Sequence, residues 1–90
     1  MFISEALKKN NIIDIRDNFN YNLGHIPRAI NIPYYKLLGN YSRYLNKYDE
    51  YYLYCDSGKQ SSDISKRLNL FGYNTHNIHG GYDEYKLLYK

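Results

Sequence analysis

The chain has 90 residues, enough for one small domain with a single modest core and no room for a second. Its 12 Lys and Arg against 9 Asp and Glu leave a net charge of +3, spread along the chain rather than gathered in a patch, which argues against a dedicated nucleic-acid protein. A lone cysteine excludes an internal disulfide framework, and no apolar run approaches the ~20 residues of a membrane span, so the expected setting is a reducing cytoplasm without membrane or nucleic-acid partner.

Residues 1–3 read as a short edge strand, followed by a short helix to about Lys9 with Ser4 as N-cap and Glu5 in its first turn. Glu5 comes too early for a secretory signal. Residues 12–15, Ile-Ile-Asp-Ile, read as a buried strand ending in charge, and the Asn-rich stretch 18–24 as a loop. Residues 29–32 form another strand fenced by Pro27 and Pro33, and 34–38 open a helix that Gly39-Asn40 ends. Residues 41–48 make a further short turn. The run 41–54 interleaves Tyr with Arg and Lys, as a single-strand stacking surface would, but tyrosine is frequent throughout, with 13 in all. Many of these rings are expected to lie half in and half out of the surface.

Residues 51–54 form the strand that leads into Cys55. Residues 61–71 are the best helix: Ile64, Leu68 and Phe71 fall at i, i+4 and i+7, Asp63 lies near its start, Lys66 and Arg67 nearer its end, and Gly72 just past it. Residues 75–78 make the last strand, Gly80-Gly81 a tight turn and 82–89 a closing helix. Alternation of strands and helices implies a parallel α/β sheet, whose ligand crevice lies beyond the carboxyl ends of its strands. Asp14, Arg16 and Cys55 all map to that rim.

Cys55 carries the chemistry. A tyrosine-rich strand runs into it, and Asp56-Ser57-Gly58-Lys59-Gln60-Ser61 leads on to a helix start. That order places the sulfur inside a bend of backbone N–H groups at the positive end of a helix, where negative charge on sulfur is favoured. Gly58 permits the left-handed backbone that closes such a bend. The alternative is a strand-end cysteine packed as a small hydrophobe.

Two segments together resemble the rhodanese (sulfurtransferase) domain. Ile12-Ile13-Asp14-Ile15-Arg16-Asp17 with Gly24-His25-Ile26-Pro27-Arg28-Ala29-Ile30-Asn31-Ile32-Pro33 is similar to the "DVR … GHIPGAxNIP" signature, and Cys55–Ser61 to the "C-x-x-G-x-x-S" active loop. His79-Gly80-Gly81-Tyr82 is a weaker match to the turn before the last helix. The resemblance implies an α/β domain built on a small, mainly parallel five-stranded sheet with helices on both faces. It also implies a thiosulfate:cyanide-type sulfurtransferase in which Cys55 accepts a sulfane sulfur, holds it as a persulfide and passes it on. The donor would be thiosulfate, a polysulfide or a protein persulfide; the acceptor, a thiol or a protein. Backbone amides of Asp56, Ser57, Gly58, Lys59, Gln60 and Ser61 would cradle the anion, and Asp14 and Arg16 would support the loop from beneath. No metal or organic cofactor is required.

The chain departs from the pattern where cations are usual. Asp56 follows the cysteine, Gln60 stands where Arg is common, and Lys59 is the one formal cation, so the loop is poorly suited to a dianion. Arg28 replaces a glycine, which raises two readings: an altered turn, or a positive charge at the pocket rim. His25 is read as a cap of its turn and Tyr85 as core. The phosphate-gripping Arg of a cysteine phosphatase is missing, since the sixth residue after Cys55 is Ser61. Gly58-Lys59-Gln60 fails as a Walker loop. His76 and His79, an odd number apart on a predicted strand, face opposite sides and make no zinc site. The remaining alternative is an idle binding module.

Overall fold

Four short segments become the strands of the computed structural model, which describes Met1–Lys90. They are β1 (Ile12–Asp14), β2 (Ile30–Asn31), β3 (Glu50–Tyr54) and β4 (Asn74–Asn77), all parallel, in the order β2-β1-β3-β4. The helices are α1 (Ile3–Ala6), α2 (Asn18–Leu23), α3 (Tyr34–Gly39), α4 (Tyr41–Tyr44), α5 (Lys59–Leu70) and α6 (Gly81–Tyr89). No helix is long and apolar enough to cross a membrane.

The two-residue period of a strand divides the core. Tyr51, Leu53 and Cys55 project with Ile13 and Ile15 to one face, where Leu37 of α3 and Ile64 and Leu68 of α5 cover them. Tyr52 and Tyr54 project with Ile12 to the other, against Ile3 and Ala6 of α1 and Tyr82 and Tyr85 of α6. Helices therefore lie on both faces, and the cysteine shares its face with the helix that begins just after it.

The sheet has four strands, not five. The expected first strand does not form: residues 1–2 have no regular structure and Ile3 already opens α1, where Ile3 and Ala6 are buried at helical spacing; the expected short helix is present, but with Phe2, not Ser4, at its N-cap, and it stops at Ala6. What remains of strand pairing there is one residue: the Met1 ammonium donates to Asn77 O at 3.0 Å, and His79 N donates to Met1 O at 2.8 Å. A side chain closes the next outward position of β4. Asn69 Oδ1 accepts from Thr75 N at 2.8 Å and its Nδ2 donates to Thr75 O at 3.1 Å, so the groups that a fifth strand would pair are already bonded.

Two further expectations are corrected. The Asn-rich stretch is helix α2: Asp17 caps it, with Oδ1 accepting from Asn20 N at 2.8 Å. It buries none of its own residues and is tied down by the Tyr21 hydroxyl donating to Ala29 O at 2.6 Å. The buried stripe of α5 is Ser61, Ile64, Ser65 and Leu68; Phe71 lies outside the helix, half exposed and stacked on Tyr41 at 4.9 Å.

Candidate functional site

The loop after β3 is held from behind by α6. Tyr82 N donates to Cys55 O at 2.9 Å and Asp83 N to Asp56 O at 3.0 Å. With both carbonyls turned toward α6, the following amides are left to face the other way. This clamp explains the second glycine of the Gly80-Gly81 turn. Gly81 has φ +60°, and a Cβ there would collide with the Cys55 and Asp56 carbonyl oxygens. Gly58, at φ +96°, supplies the matching bend in the loop itself.

Gly58 N donates to Cys55 Sγ at 3.1 Å and Ser61 N at 3.5 Å, while Ser61 Oγ lies 3.4 Å away. Two of the six loop amides thus reach the resting sulfur. Lys59 N turns back to Ser57 Oγ at 3.3 Å, and the amides of Asp56, Ser57 and Gln60 find no acceptor within the chain. Cys55 itself is buried, 4% exposed, but it forms part of the wall of a cavity of about 520 Å³.

Beneath the loop, Asp14 and Arg16 form one buried network. Arg16 Nη2 donates to Asp14 Oδ2 at 2.7 Å and to Gly24 O at 2.7 Å, and Nε donates to both Asp14 oxygens. Its guanidinium lies over the Tyr82 ring at 4.1 Å, and Nη1 reaches Asp56 Oδ1 at 3.5 Å. Burial by itself would lower the affinity of Arg16 for its proton; the hydrogen bond and charge of Asp14 outweigh it and hold the guanidinium above its ordinary range. The Tyr54 hydroxyl donates to Asp14 Oδ2 at 2.7 Å and accepts from Ile26 N at 3.0 Å. Burial, reinforced by the Asp14 charge, raises Tyr54 well above the usual phenol range. Every buried side-chain nitrogen and oxygen has a partner.

The cavity brings Cys55, Asp56, Ser57, Lys59 and Gln60 together with Arg16. Its other lining residues include Asp17 and Pro33, which close the two signature segments but were not read as site residues, and Asn20, Tyr34 and Tyr35, which no motif covered. The one usable signal was Asp17 followed at three by Asn20, a helix cap that positions both at the rim. The charged members, Arg16 and Lys59 against Asp17 and Asp56, cancel.

Arg28 is not at this rim. It adopts φ +71°, so the glycine-type turn is kept with a side chain on it, and its guanidinium donates to Leu7 O at 2.7 Å and Asn10 Oδ1 at 3.3 Å. His25 stacks on Tyr21 at 3.8 Å, with Nδ1 2.9 Å from Tyr21 O, which stabilises the end of α2. His76 pairs with Glu50 at 2.8 Å on the sheet, and His79 lies beyond the end of β4.

The model of the rhodanese-like domain matches residues 3–88. The chain is 34% identical over 86 residues to the adenylyltransferase and sulfurtransferase UBA4 of Candida albicans, a match to 87% of this chain and 20% of that protein. It therefore spans about a fifth of the length of that curated relative. Among solved structures, SSP1007 from Staphylococcus saprophyticus is 32% identical over 94% of this chain and 90% of its own, with a TM-score of 0.85. The human single-domain sulfurtransferase TSTD1 superposes on 100% of this chain and 96% of its own with a TM-score of 0.82; at 22% identity that is a likeness of fold alone.

Proposed function

From the premise that this chain belongs to the rhodanese-like domain family, we propose that it is a sulfurtransferase that carries sulfur as a persulfide on Cys55. The thiolate attacks the outer sulfur of a donor, the sulfur–sulfur bond of the donor breaks, and the leaving group departs with the electron pair. Cys55 then bears a terminal sulfur with a negative charge. An acceptor nucleophile, a thiol or a protein, attacks that terminal sulfur, and the Cys55 thiolate leaves. No net oxidation occurs in the cycle and no metal or cofactor enters it.

The observation that carries this reading is the setting of Cys55: two amides donate to its Sγ, and the residue lines an open cavity. A cysteine that merely fills a core has neither. The amides of Asp56, Ser57 and Gln60 are placed to receive charge on a second sulfur or on the leaving group. Asp14 and Arg16 act by holding the loop: Nε and Nη2 of Arg16 are engaged by Asp14 and Gly24, and Nη1 reaches Asp56 Oδ1 on the loop at 3.5 Å. The cavity's cancelled charge favours donors of low charge, polysulfides or protein persulfides, over thiosulfate. The reaction belongs in a reducing compartment such as the cytoplasm, where the single cysteine stays free.

The test is intact mass after incubation with a sulfane-sulfur donor. Wild type is expected to gain one sulfur, about 32 Da, and Cys55→Ser none. No adduct with any donor would transfer the reading to an idle binding module, which the carboxylate of Asp56 at the cavity mouth would suit.

A further inference from the structure

We propose that Asn77 is a positioning residue that decides whether the Ser61 hydroxyl proton faces the Cys55 sulfur; the inference rests on Cys55 being the sulfur carrier. Ser61 is fully buried in the first turn of α5. Its Oγ stands between two partners, Cys55 Sγ at 3.4 Å and Asn77 Oδ1 at 2.5 Å, the latter at the end of β4. An amide oxygen only accepts, so the single hydroxyl proton points to Asn77 and the oxygen lone pairs face the sulfur.

That arrangement suits one protonation state of sulfur. A thiol can donate its S–H to Ser61 Oγ. A thiolate or a persulfide anion needs donors, and finds a lone pair opposite it. If the hydroxyl swings to the sulfur and the Asn77 amide turns to offer Nδ2 to Ser61 Oγ, the anion has three donors: two amides and a hydroxyl. Asn77 has room for that turn, because it lines a polar cleft behind the loop together with Asp63 and His79. When the thiol ionises, its S–H bond breaks and the proton leaves to water in the front cavity. Ser61 keeps its own proton and only reorients it.

The charged groups around the sulfur and Asn77 are Arg16 and Asp17 after β1, Asp56 and Lys59 on the loop, Asp63 on α5, His79 after β4, and the Met1 ammonium, which donates to Asn77 O at 3.0 Å. None is altered by changing Asn77, so their field is common to all variants below.

The test is the rate of Cys55 alkylation by iodoacetamide, from mildly acidic to alkaline pH. Cys55 is the sole cysteine, so the signal is unambiguous. Asn77→Ala is expected to accelerate the reaction roughly two- to tenfold at acidic pH, and not at alkaline pH where every variant is ionised. In a Ser61→Ala background this effect should vanish, while Ser65→Ala, one turn along, should behave as wild type. An Asn77 effect that persists without the Ser61 hydroxyl, that is equal at all pH values, or that is absent overturns the proposal. The sulfur adduct on wild type is read separately. An adduct without Asn77-dependent alkylation removes this inference and leaves the carrier role; Asn77-dependent alkylation without an adduct does the reverse.

Discussion

Asp56→Asn isolates the effect of charge at the cavity mouth. Among the charged groups that line the cavity, Arg16 and Lys59 balance Asp17 and Asp56, so this one substitution takes the sum from zero to +1. The Asp56 side chain is 58% exposed and its contact with Arg16 is long, 3.5 Å, so the fold should tolerate the change. A unit pair 4 Å apart is worth about 1 kcal/mol in water and about 4 kcal/mol at the effective dielectric near a protein surface. Thiosulfate carries two charges, which doubles the figure, while greater distance, exposure and salt reduce it. The net gain is about 1–2 kcal/mol, or roughly 5- to 30-fold in rate. The assay is the initial rate of sulfur loading on Cys55 from thiosulfate, against an uncharged organic trisulfide as control. Thiosulfate loading should rise, fall back as ionic strength increases, and leave the trisulfide rate within about twofold. An unchanged thiosulfate rate, or an equal gain with both donors, would refute the electrostatic reasoning.

Gly81→Ala places a methyl against the Cys55 and Asp56 carbonyls at φ +60°, so either the clamp opens or the backbone strains. A loss of about 2 kcal/mol, or about 8–16 °C in melting temperature, is expected by calorimetry, and an unchanged Tm would count against the clamp. Tyr54→Phe leaves Ile26 N without its buried acceptor, at a cost of about 1–3 kcal/mol in denaturant unfolding at neutral pH. The same variant bears on alkaline stability. Because the folded state holds the Tyr54 proton to higher pH than the unfolded chain does, its contribution is complete below about pH 10 and is lost as pH rises beyond it. Tyr54→Phe should therefore flatten the fall in stability above that pH, and an unchanged slope would dismiss the buried phenol as its source. Asn69→Ala unpairs Thr75 N–H and C=O at the edge of β4, with an expected loss of about 1–3 kcal/mol and concentration-dependent association by light scattering. A monomer of wild-type stability would show that the edge is guarded otherwise.

The cysteine loop was legible because its parts are consecutive. A strand, Cys55, a bend at Gly58 and a helix start follow each other within a few residues, and local backbone geometry then turns Gly58 N and Ser61 N onto the sulfur. Strands β1 and β3 were legible from their apolar runs, and the parallel sheet from the alternation of strands with helices. Where the reading failed, a side-chain hydrogen bond decided the outcome. The stretch 18–24 has the composition of a loop and is helical because Asp17 caps it and Tyr21 anchors it. A fifth strand was expected at residues 1–3, but Asn69 already occupies the edge of β4.

From local order alone, then, the chain specifies a strand-end cysteine in an amide-lined bend and the parallel sheet that carries it. Tertiary structure alone decides what that bend meets: α6 amides on its carbonyls, Arg16 under Asp56, Tyr34 and Tyr35 across the cavity, and Asn77 behind Ser61. The division has a physical cause. Backbone propensity and hydrogen-bond periodicity act over a few residues, whereas these partners lie up to 40 positions apart and meet only when burial of the two core faces brings β1, β3, β4 and α6 together.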